Sequence, residues 1–316
     1  MGGRVVVLRG DAAHLPLPDG SVDLIVTSPP YFAQRRYRDS GAAYDGQIGG
    51  EMTPERYIDA LLACTREWVR VLQPRGSLFV NLGDKRSGSG GHGNSGLLSP
   101  KYKGNTQAAP PSGGKCYGYP PKTLLGLPWR YALRCMDELG LILRAEIIWD
   151  KTNARPETAL DRASTSHEQM FHFVVQPWYF ASTDEVRERG AGRSVNPLGR
   201  LPGTVWRIAT APLMVPPRIG IEHFAPFPCD LPRNAILGWS PVGAKVLDPC
   251  GGSGTVALVA DSLGRTGITV DRSTDYCRLA RWRTADPGER ARALGVPKPP
   301  PVMDGQGDLF ELGEAS

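Results

Sequence analysis

Cysteine, long apolar runs and signal sequences are what this chain has least of. Only six of its 316 residues are cysteine, and none forms a CxxC pair or has a histidine at zinc-site spacing. We therefore predict neither a disulfide framework nor a structural metal site. No apolar run reaches the roughly 18 residues of a membrane helix, and the first residues lack the apolar core of a signal peptide. These absences favour a cytoplasmic protein with no membrane partner.

Acidic residues are missing from one long stretch. Between Lys85 and Met136 there is no Asp or Glu, although the whole chain has 37 basic and 32 acidic residues. A second basic cluster, Arg35, Arg36 and Arg38, precedes this stretch. Charge alone leaves two interpretations open, a solvated basic face and a groove that binds the phosphates of a nucleic acid.

Glycine and proline are abundant, with 38 and 29 residues, so long irregular segments are expected. Residues 86–121 have no periodic apolar face and predict a long mobile loop. Residues 183–220 predict a small irregular subdomain with one strand-like run at 204–208. The tail from residue 297 is rich in proline, glycine and acidic residues, which is typical of disorder.

Between these segments, apolar patterns of strand and helix type alternate. The predicted strands are at 5–8, 22–27, 77–82, 141–149, 169–175, 178–182, 245–247 and 267–270. The predicted helices are at 54–71, 127–139, 231–239, 255–263 and 276–283. Residues 74–76 are expected to separate the first helix from its strand, and Pro177 to join a hairpin of 169–175 with 178–182. The alternation predicts an α/β fold.

A glycine-rich turn lies between a predicted strand and a predicted helix. The sequence from Asp248 to Thr255 is DPCGGSGT. Its glycines allow the backbone to turn tightly under a ligand, and the helix N-terminus adds exposed N–H groups. Asp271 ends the next strand, where a carboxylate can accept hydrogen bonds from both hydroxyls of a ribose. This combination predicts a nucleoside-binding βαβ unit.

A second motif, Thr27-Ser28-Pro29-Pro30-Tyr31, follows the strand at 22–27. Two consecutive prolines fix φ and remove two N–H donors, so they hold the preceding carbonyl rigidly. The Ser28 hydroxyl and carbonyl can then hydrogen-bond to an exocyclic amino group, while Tyr31 offers a flat face to an extruded base.

In these motifs the sequence resembles the β group of amino DNA methyltransferases, which use S-adenosylmethionine (SAM). TSPPY resembles their catalytic motif and DPCGGSGT their cofactor loop, and the order of the two is the permuted order of that group. Further segments that resemble the family are 10–12, 148–151 with 161–162 and 166–168, and 223–228. Cys250 stands where the family usually has Phe, and we interpret it as a small buried thiol.

The resemblance implies a Rossmann-like SAM-dependent methyltransferase fold of α/β class, with a mixed seven-stranded sheet in circularly permuted motif order. Its expected parts are a catalytic half (1–84 and 123–182), a flexible basic loop (85–122), a target-recognition region (183–220), a SAM-binding half (221–296) and a disordered tail (297–316).

The resemblance also implies roles for individual residues, with no metal among the ligands. Those expected in catalysis are Ser28, Pro29, Pro30 and Tyr31. Those expected to bind SAM are Asp11, Ala12, Thr27, Phe227, Asp248, Gly251, Gly252, Gly254, Thr255 and Asp271. Those expected to bind DNA phosphates are Arg35, Arg36, Lys101, Lys103 and Lys115.

The implied reaction moves a methyl group from SAM to the exocyclic amino group of a base flipped out of double-stranded DNA. In the family, Ser before Pro-Pro generally goes with N4 of cytosine, and Asp or Asn with N6 of adenine. Ser28 therefore favours cytosine, with adenine as the alternative; a nucleotide-binding oxidoreductase and a catalytically silent DNA-binding module remain as interpretations from other classes. A restriction endonuclease acting on the same site is a possible partner.

The tail contains Gln306-Gly307-Asp308-Leu309-Phe310, an apolar pair in a polar segment. This pentapeptide resembles the short peptides by which bacterial DNA enzymes dock on the replication sliding clamp. In such docking Gln306 would hydrogen-bond, and Leu309 and Phe310 would fill an apolar groove. The alternative is that the pair packs on the protein's own surface.

Overall fold

The computed structural model describes residues 4–34, 38–39, 42–43, 46–88, 116–154, 156–157, 159–188, 196–221 and 227–296. The strands are β1 (Arg4–Arg9), β2 (Val22–Thr27), β3 (Arg38–Asp39), β4 (Ala42–Ala43), β5 (Leu72–Leu82), β6 (Ile142–Asp150), β7 (His167–Val174), β8 (Val205–Arg207), β9 (Lys245–Asp248) and β10 (Thr266–Asp271). The helices are α1 (Pro54–Val71), α2 (Leu127–Leu139), α3 (Asp230–Trp239), α4 (Thr255–Ser262), α5 (Thr274–Ala285) and α6 (Pro287–Leu294). None of the helices in these ranges is long and apolar enough to cross a membrane.

One mixed sheet of eight strands runs through the described part of the chain, in the order β1-β10-β9-β2-β5-β7-β6-β8. Strand β7 is antiparallel to both of its neighbours, and the other neighbouring pairs in this sheet are parallel. The α/β class and the mixed sheet are confirmed. The prediction of seven strands is short by one, because β8 adds to the edge of β6 through the pairs from Ile148↔Val205 to Asp150↔Arg207.

The sheet has a topological switch point between β2 and β9. The chain passes from β2 through α1 to β5 on one side, and from β9 through α4 to β10 on the other. Because the two crossovers leave in opposite directions, a crevice opens between them at the carboxyl ends of these strands. The catalytic and glycine-rich motifs both follow strands that end at this crevice.

Apolar clusters cover the two faces of the sheet. Leu78 and Val80 of β5 pack with α1 and α2, whereas Phe79 between them packs with α3 and α4. Successive side chains of a strand point to opposite faces, so a strand that is apolar at consecutive positions contributes to both clusters. The resulting three layers hold the carboxyl ends of the central strands, which border the crevice, in place.

Helices α1 and α2 have the bounds that the sequence predicts, because local signals set their ends. Thr53 caps α1 by accepting a hydrogen bond from Arg56 N at 3.3 Å, and Pro54 occupies the first turn. Gly140 ends α2 in the left-handed conformation, with φ of 64°. The N-terminus of α2 is instead capped from a distance, since Asp84 accepts hydrogen bonds from the backbone N of Gly126 and Leu127.

Two local predictions are wrong. The predicted hairpin at Pro177 does not form, because β7 pairs with β6 and β5 while residues 178–182 lie outside the strands. Strand β5 begins at Leu72, not at residue 77. Its pairing with β2 jumps from Leu72 to Ser77, so Pro74 lies in an irregularity where no ladder N–H is needed.

The segments expected to be irregular are tied to the fold where the structure describes them. Ser87 is 2% exposed, and its hydroxyl donates to the carbonyl oxygens of Cys116 and Tyr119, which joins the two ends of the basic loop. In the expected recognition region, β8 belongs to the main sheet, so 183–220 is not a separate subdomain there. Helix α6 was not predicted from the sequence.

Candidate active site

A cavity of about 990 Å³ opens at the carboxyl ends of the central strands. Twelve of the residues expected in catalysis or SAM binding line it: Asp11, Ala12, Ser28, Pro29, Pro30, Tyr31, Phe227, Asp248, Gly251, Gly252, Thr255 and Asp271. The volume lies at the upper end of the range of about 300–1,000 Å³ typical of small-molecule sites. One cavity therefore has room for a nucleoside cofactor and part of a second ligand.

The glycine-rich loop lies so close to β10 that one position excludes any side chain. A Cβ atom on Gly251 would come within 1.6 Å of Thr269 Oγ1. Asp271 fixes the next turn, because its carboxylate accepts hydrogen bonds from Gly252 N at 2.9 Å and Ser273 N at 2.8 Å. The loop then enters α4 at Thr255, so that a helix N-terminus faces the cavity.

A buried hydrogen bond links the two motifs across the switch point. Thr27 Oγ1 donates to Asp248 Oδ1 at 2.8 Å, and Cys250 N donates to the same oxygen at 3.1 Å. Burial raises the pKa of Asp248 to about 7, although these hydrogen bonds oppose the shift. Thr27 is fully buried behind the cavity wall and positions Asp248 rather than lining the cavity.

The raised pKa of Asp248 predicts a measurable pH dependence of the protein's folding stability. Because its folded-state pKa is raised, its contribution to stability is fully present below the ordinary carboxyl pKa of about 4 and is lost as pH rises through about 7. In the Asp248→Asn variant, this loss of folding stability between about pH 4 and 7, on the order of a few kcal/mol, should be absent. Denaturant unfolding of the SAM-free proteins between pH 4 and 8 measures it. Parallel stability curves for the two proteins would contradict the assignment.

The backbone of the TSPPY motif is supported from two sides. Tyr57 OH donates to the Pro30 carbonyl oxygen at 3.0 Å. Gly49, at φ of 88°, lies under Tyr31, and a Cβ atom there would come within 2.6 Å of the Tyr31 carbonyl oxygen. A Cβ on Gly83 would come within 2.7 Å of the Tyr31 ring. The motif is thus held in one position before any ligand binds.

A polar network surrounds the Tyr31 hydroxyl. Tyr31 OH donates to Glu168 Oε2 at 2.6 Å and accepts from Ser28 Oγ at 3.1 Å and from Asn81 Nδ2 at 2.8 Å. Asn81 Nδ2 also donates to Glu168 Oε2 at 2.7 Å, and Lys151 forms an ion pair with Glu168 Oε1. Burial and the neighbouring Glu168 raise the pKa of Tyr31 well above 10, so Tyr31 is a neutral phenol.

Sequence reasoning assigned no role to several residues of this site. Asn81, Lys151 and Glu168 line the cavity beside the catalytic motif, and Glu51 also lines it. Burial raises the pKa of Glu51. Glu168 and Lys151 lie in segments that resemble the family, which was the only signal for them; Asn81 is a polar residue in an apolar strand run, a signal that sequence reasoning passed over.

Other expected residues lie away from the cavity or outside the described ranges. Gly254 sits behind the loop, where a Cβ atom would come within 3.0 Å of Ala280 Cβ. Cys250 is only partly buried and lines the cavity, so the interpretation as a buried thiol is wrong in degree. The expected DNA-binding residues and the tail motif lie outside the described residues: Arg35, Arg36, Lys101, Lys103, Lys115, Gln306, Leu309 and Phe310. Their roles stay predictions.

Comparison with known proteins shows which family this protein belongs to. The model of a family described as DNA methylase (N6_N4_Mtase) matches residues 22–281, which span both motifs. The chain belongs to this DNA methylase family. It is a SAM-dependent DNA methyltransferase, as the sequence resemblance implied.

Similar proteins agree with this membership. Type II methyltransferase M.XycI of Xanthomonas campestris pv. cyanopsidis is 36% identical over 88% of this chain and 86% of its own length. M.SmaI of Serratia marcescens is 34% identical over 88% of this chain and 89% of its own. Both pairs align over almost the whole of each protein.

Solved structures share the fold of this DNA methyltransferase. The PvuII DNA methyltransferase (cytosine-N4-specific) superposes with a TM-score of 0.65, covering 93% of this chain and 92% of that one at 20% identity. TTHA0409 of Thermus thermophilus, a DNA modification methylase solved with SAM, has a TM-score of 0.54 and 26% identity, covering 90% and 93% of the two chains.

The residues present in this DNA methyltransferase fit SAM. The glycine loop is tight enough to exclude a Cβ atom at Gly251, α4 begins at the cavity, and the carboxylate of Asp271 stands at the end of the neighbouring strand. Backbone N–H groups, a helix N-terminus and a ribose-binding carboxylate are the groups that hold a nucleoside cofactor in such folds.

Proposed function

We propose that this DNA methyltransferase methylates N4 of cytosine in double-stranded DNA. The observation that carries the proposal is Ser28, whose hydroxyl directly precedes the two prolines of the catalytic motif and lines the same cavity as the cofactor loop. A serine hydroxyl can accept a hydrogen bond from an amino group and donate one in turn. In the family that the chain resembles, this residue generally goes with cytosine.

The base can be identified directly. The protein is incubated with SAM and mixed-sequence duplex DNA, the DNA is digested to nucleosides, and the methylated products are separated by liquid chromatography and mass spectrometry. We expect N4-methyl-2′-deoxycytidine. N6-methyl-2′-deoxyadenosine as the product would overturn the cytosine proposal in favour of adenine, and single-molecule sequencing of the same DNA would give the recognition site.

The catalytic role of the chain is to position and polarise the target amino group. SAM, when bound, supplies an electrophilic methyl group on a sulfonium. The exocyclic nitrogen is a poor nucleophile because its lone pair is conjugated with the ring, so the Ser28 hydroxyl and carbonyl accept its hydrogens and direct that lone pair. Pro29 and Pro30 contribute no N–H donors that would compete. Tyr31 offers its ring face to the flipped base.

Binding of SAM falls to the C-terminal half and the segment after β1. Asp271 would accept hydrogen bonds from the ribose hydroxyls. The loop that contains Gly251 and Gly252, and Thr255 at the start of α4, would lie against the cofactor. Asp11 and Ala12 lie at the carboxyl end of β1, next to β10, and we assign them to the adenine of SAM. Phe227 lines the same cavity.

Recognition of the DNA sequence is assigned to residues 183–220. Thr210, Ala211, Pro212 and Leu213 line the cavity, directly after the edge strand β8. A segment that starts at the sheet edge and reaches the cavity mouth can contact the bases that flank a flipped nucleotide. The names of the similar Type II methyltransferases also support a companion restriction endonuclease that cleaves the same site.

Phosphate binding is assigned to Arg35, Arg36 and the basic loop. Replacing Lys101, Lys103 and Lys115 together with Ala should weaken binding to all sequences and lower the salt slope by roughly one unit per lost contact. Filter binding at several salt concentrations, with cognate and scrambled duplexes, measures both. Lys245→Ala is the matched control, because Lys245 lies at the end of β9 that points away from the cavity. Loss confined to the cognate duplex would contradict the assignment.

A further inference from the structure

The hydrogen bonds at Tyr31 form a directed chain that leads away from the cavity wall. Ser28 Oγ donates to Tyr31 OH, and Tyr31 OH donates to Glu168 Oε2. Each hydroxyl therefore has its proton on the side of the next acceptor, and the chain ends on a carboxylate, which has no proton to pass on. This is the arrangement in which a proton entering at Ser28 is delivered to Glu168.

The neighbouring side chains fix the direction of this series of hydrogen bonds. Asn81 Nδ2 donates to both Tyr31 OH and Glu168 Oε2, so the Tyr31 oxygen already accepts two hydrogen bonds and its own proton is committed to Glu168. Lys151 Nζ ion-pairs with the other carboxylate oxygen. The side chain of Glu168 is only 14% exposed, so the carboxylate depends on these donors in place of water.

Methylation of an amino group requires such an acceptor. As the C–N bond forms, the nitrogen comes to carry one proton more than in the neutral product, and this proton leaves while the methyl group is being transferred. Ser28 cannot retain it, because a protonated hydroxyl is a strong acid. Tyr31 is a neutral phenol, so it can pass a proton on but cannot serve as the final base.

We propose that Glu168 is the terminal proton acceptor of the methylation reaction and that Ser28 and Tyr31 relay the proton to it. The N–H bond of the methylated amino group breaks and an O–H bond forms at Ser28 Oγ. The former Ser28 proton passes to Tyr31, and the former Tyr31 proton passes to Glu168 Oε2, which becomes a carboxylic acid. Glu168 and Lys151 line the cavity, so the acid can release this proton to solvent after the product leaves.

The inference rests on methyl transfer to an exocyclic amine, and it holds for cytosine or adenine alike. Glu168 acts on the target base through Tyr31 and Ser28, so it is a positioning residue that takes up the proton they relay. Lys151, whose ammonium lies 4.7 Å from the centre of the Trp149 ring, keeps the carboxylate oriented.

Glu168→Gln tests the proposal, because the amide oxygen can still accept from Tyr31 but does not take up its proton. We expect the single-turnover rate of methyl transfer to fall by roughly 100-fold or more, the usual scale for a positioned acid or base. The affinities for SAM and DNA, measured separately by titration, should stay within about twofold. Glu146→Gln is the matched control, since Glu146 lies on β6, accepts from Trp129 Nε1 and does not line the cavity.

A double-variant cycle separates the relay from a structural role. Tyr31→Phe should also slow the reaction, and the double variant Tyr31→Phe with Glu168→Gln should be no slower than the slower single variant, because both break one path. The wild-type single-turnover rate should also show a solvent deuterium isotope effect that is absent in Glu168→Gln.

Two results would overturn the proposal: an unchanged single-turnover rate in Glu168→Gln, or rate losses that multiply in the double variant. These outcomes differ from failure of the proposed function. In that case the wild-type protein itself would place no methyl group on an exocyclic amine of DNA.

Discussion

Ser28→Ala is expected to lower the single-turnover rate of methyl transfer by roughly 100-fold or more, the scale for losing one preorganised polar contact in a transition state. The side chain lines the cavity and donates to Tyr31, so its removal takes away both a contact to the target amino group and the entry to the proton relay. Rapid-quench measurement with labelled SAM and a cognate duplex gives this rate.

Binding should survive the Ser28 substitution, because the residues of the cofactor loop do not contact its hydroxyl in the described hydrogen bonds. Ser21→Ala is the matched control: Ser21 lies just before the other end of β2, where its hydroxyl donates to the Pro18 carbonyl at 2.7 Å. That variant should methylate at the parent rate. A Ser28→Ala protein that is as fast as the parent would remove Ser28 from the catalytic assignment.

Gly251→Ala is expected to disrupt SAM binding. Its Cβ atom would come within 1.6 Å of Thr269 Oγ1 and 2.9 Å of Thr269 Cβ, so the loop must move away from β10. Forced overpacking of this kind costs about 1–3 kcal/mol, which corresponds to a loss of roughly 5- to 150-fold in affinity if it falls on the bound loop conformation. We expect the upper end of that range, measured by equilibrium titration with SAM.

Gly203→Ala provides the matched control for this substitution. A Cβ atom at Gly203 would meet nothing within 4 Å, and the residue is exposed. The control should bind SAM like the parent. SAM affinity in Gly251→Ala equal to that of the parent would contradict the loop geometry, and a loss of stability without a loss of affinity would place the strain in the strand packing instead.

The local elements were predictable because their signals are local. The bounds of α1 follow from a capping Thr53 and Pro54, and those of α2 from Pro128 and Gly140, all within a turn of the ends they set. The two motifs were equally legible, since consecutive prolines and clustered glycines constrain the backbone at their own positions. Other residues that line the site, Asp11, Ala12 and Phe227, were expected there only from the resemblance to the family.

Pairing across the sheet was harder to predict. The hairpin expected at Pro177 is wrong: two apolar runs next to each other in sequence fit a hairpin, whereas β7 pairs along both of its edges, with β5 and with β6. The eighth strand was visible as a short strand-like run, but its edge position on β6 depends on the course of a loop that has no periodic pattern. Local propensity carries little information about such long-range choices.

The sequence by itself determined the α/β class, the two motifs, their permuted order and the kind of chemistry they support. Only the tertiary structure decided that Thr27 bonds to Asp248 across the switch point, and that Asn81, Lys151 and Glu168 meet at Tyr31. Backbone constraints of proline and glycine act on neighbouring residues and are therefore written locally. Hydrogen bonds between side chains far apart in sequence exist only after the strands have been placed side by side.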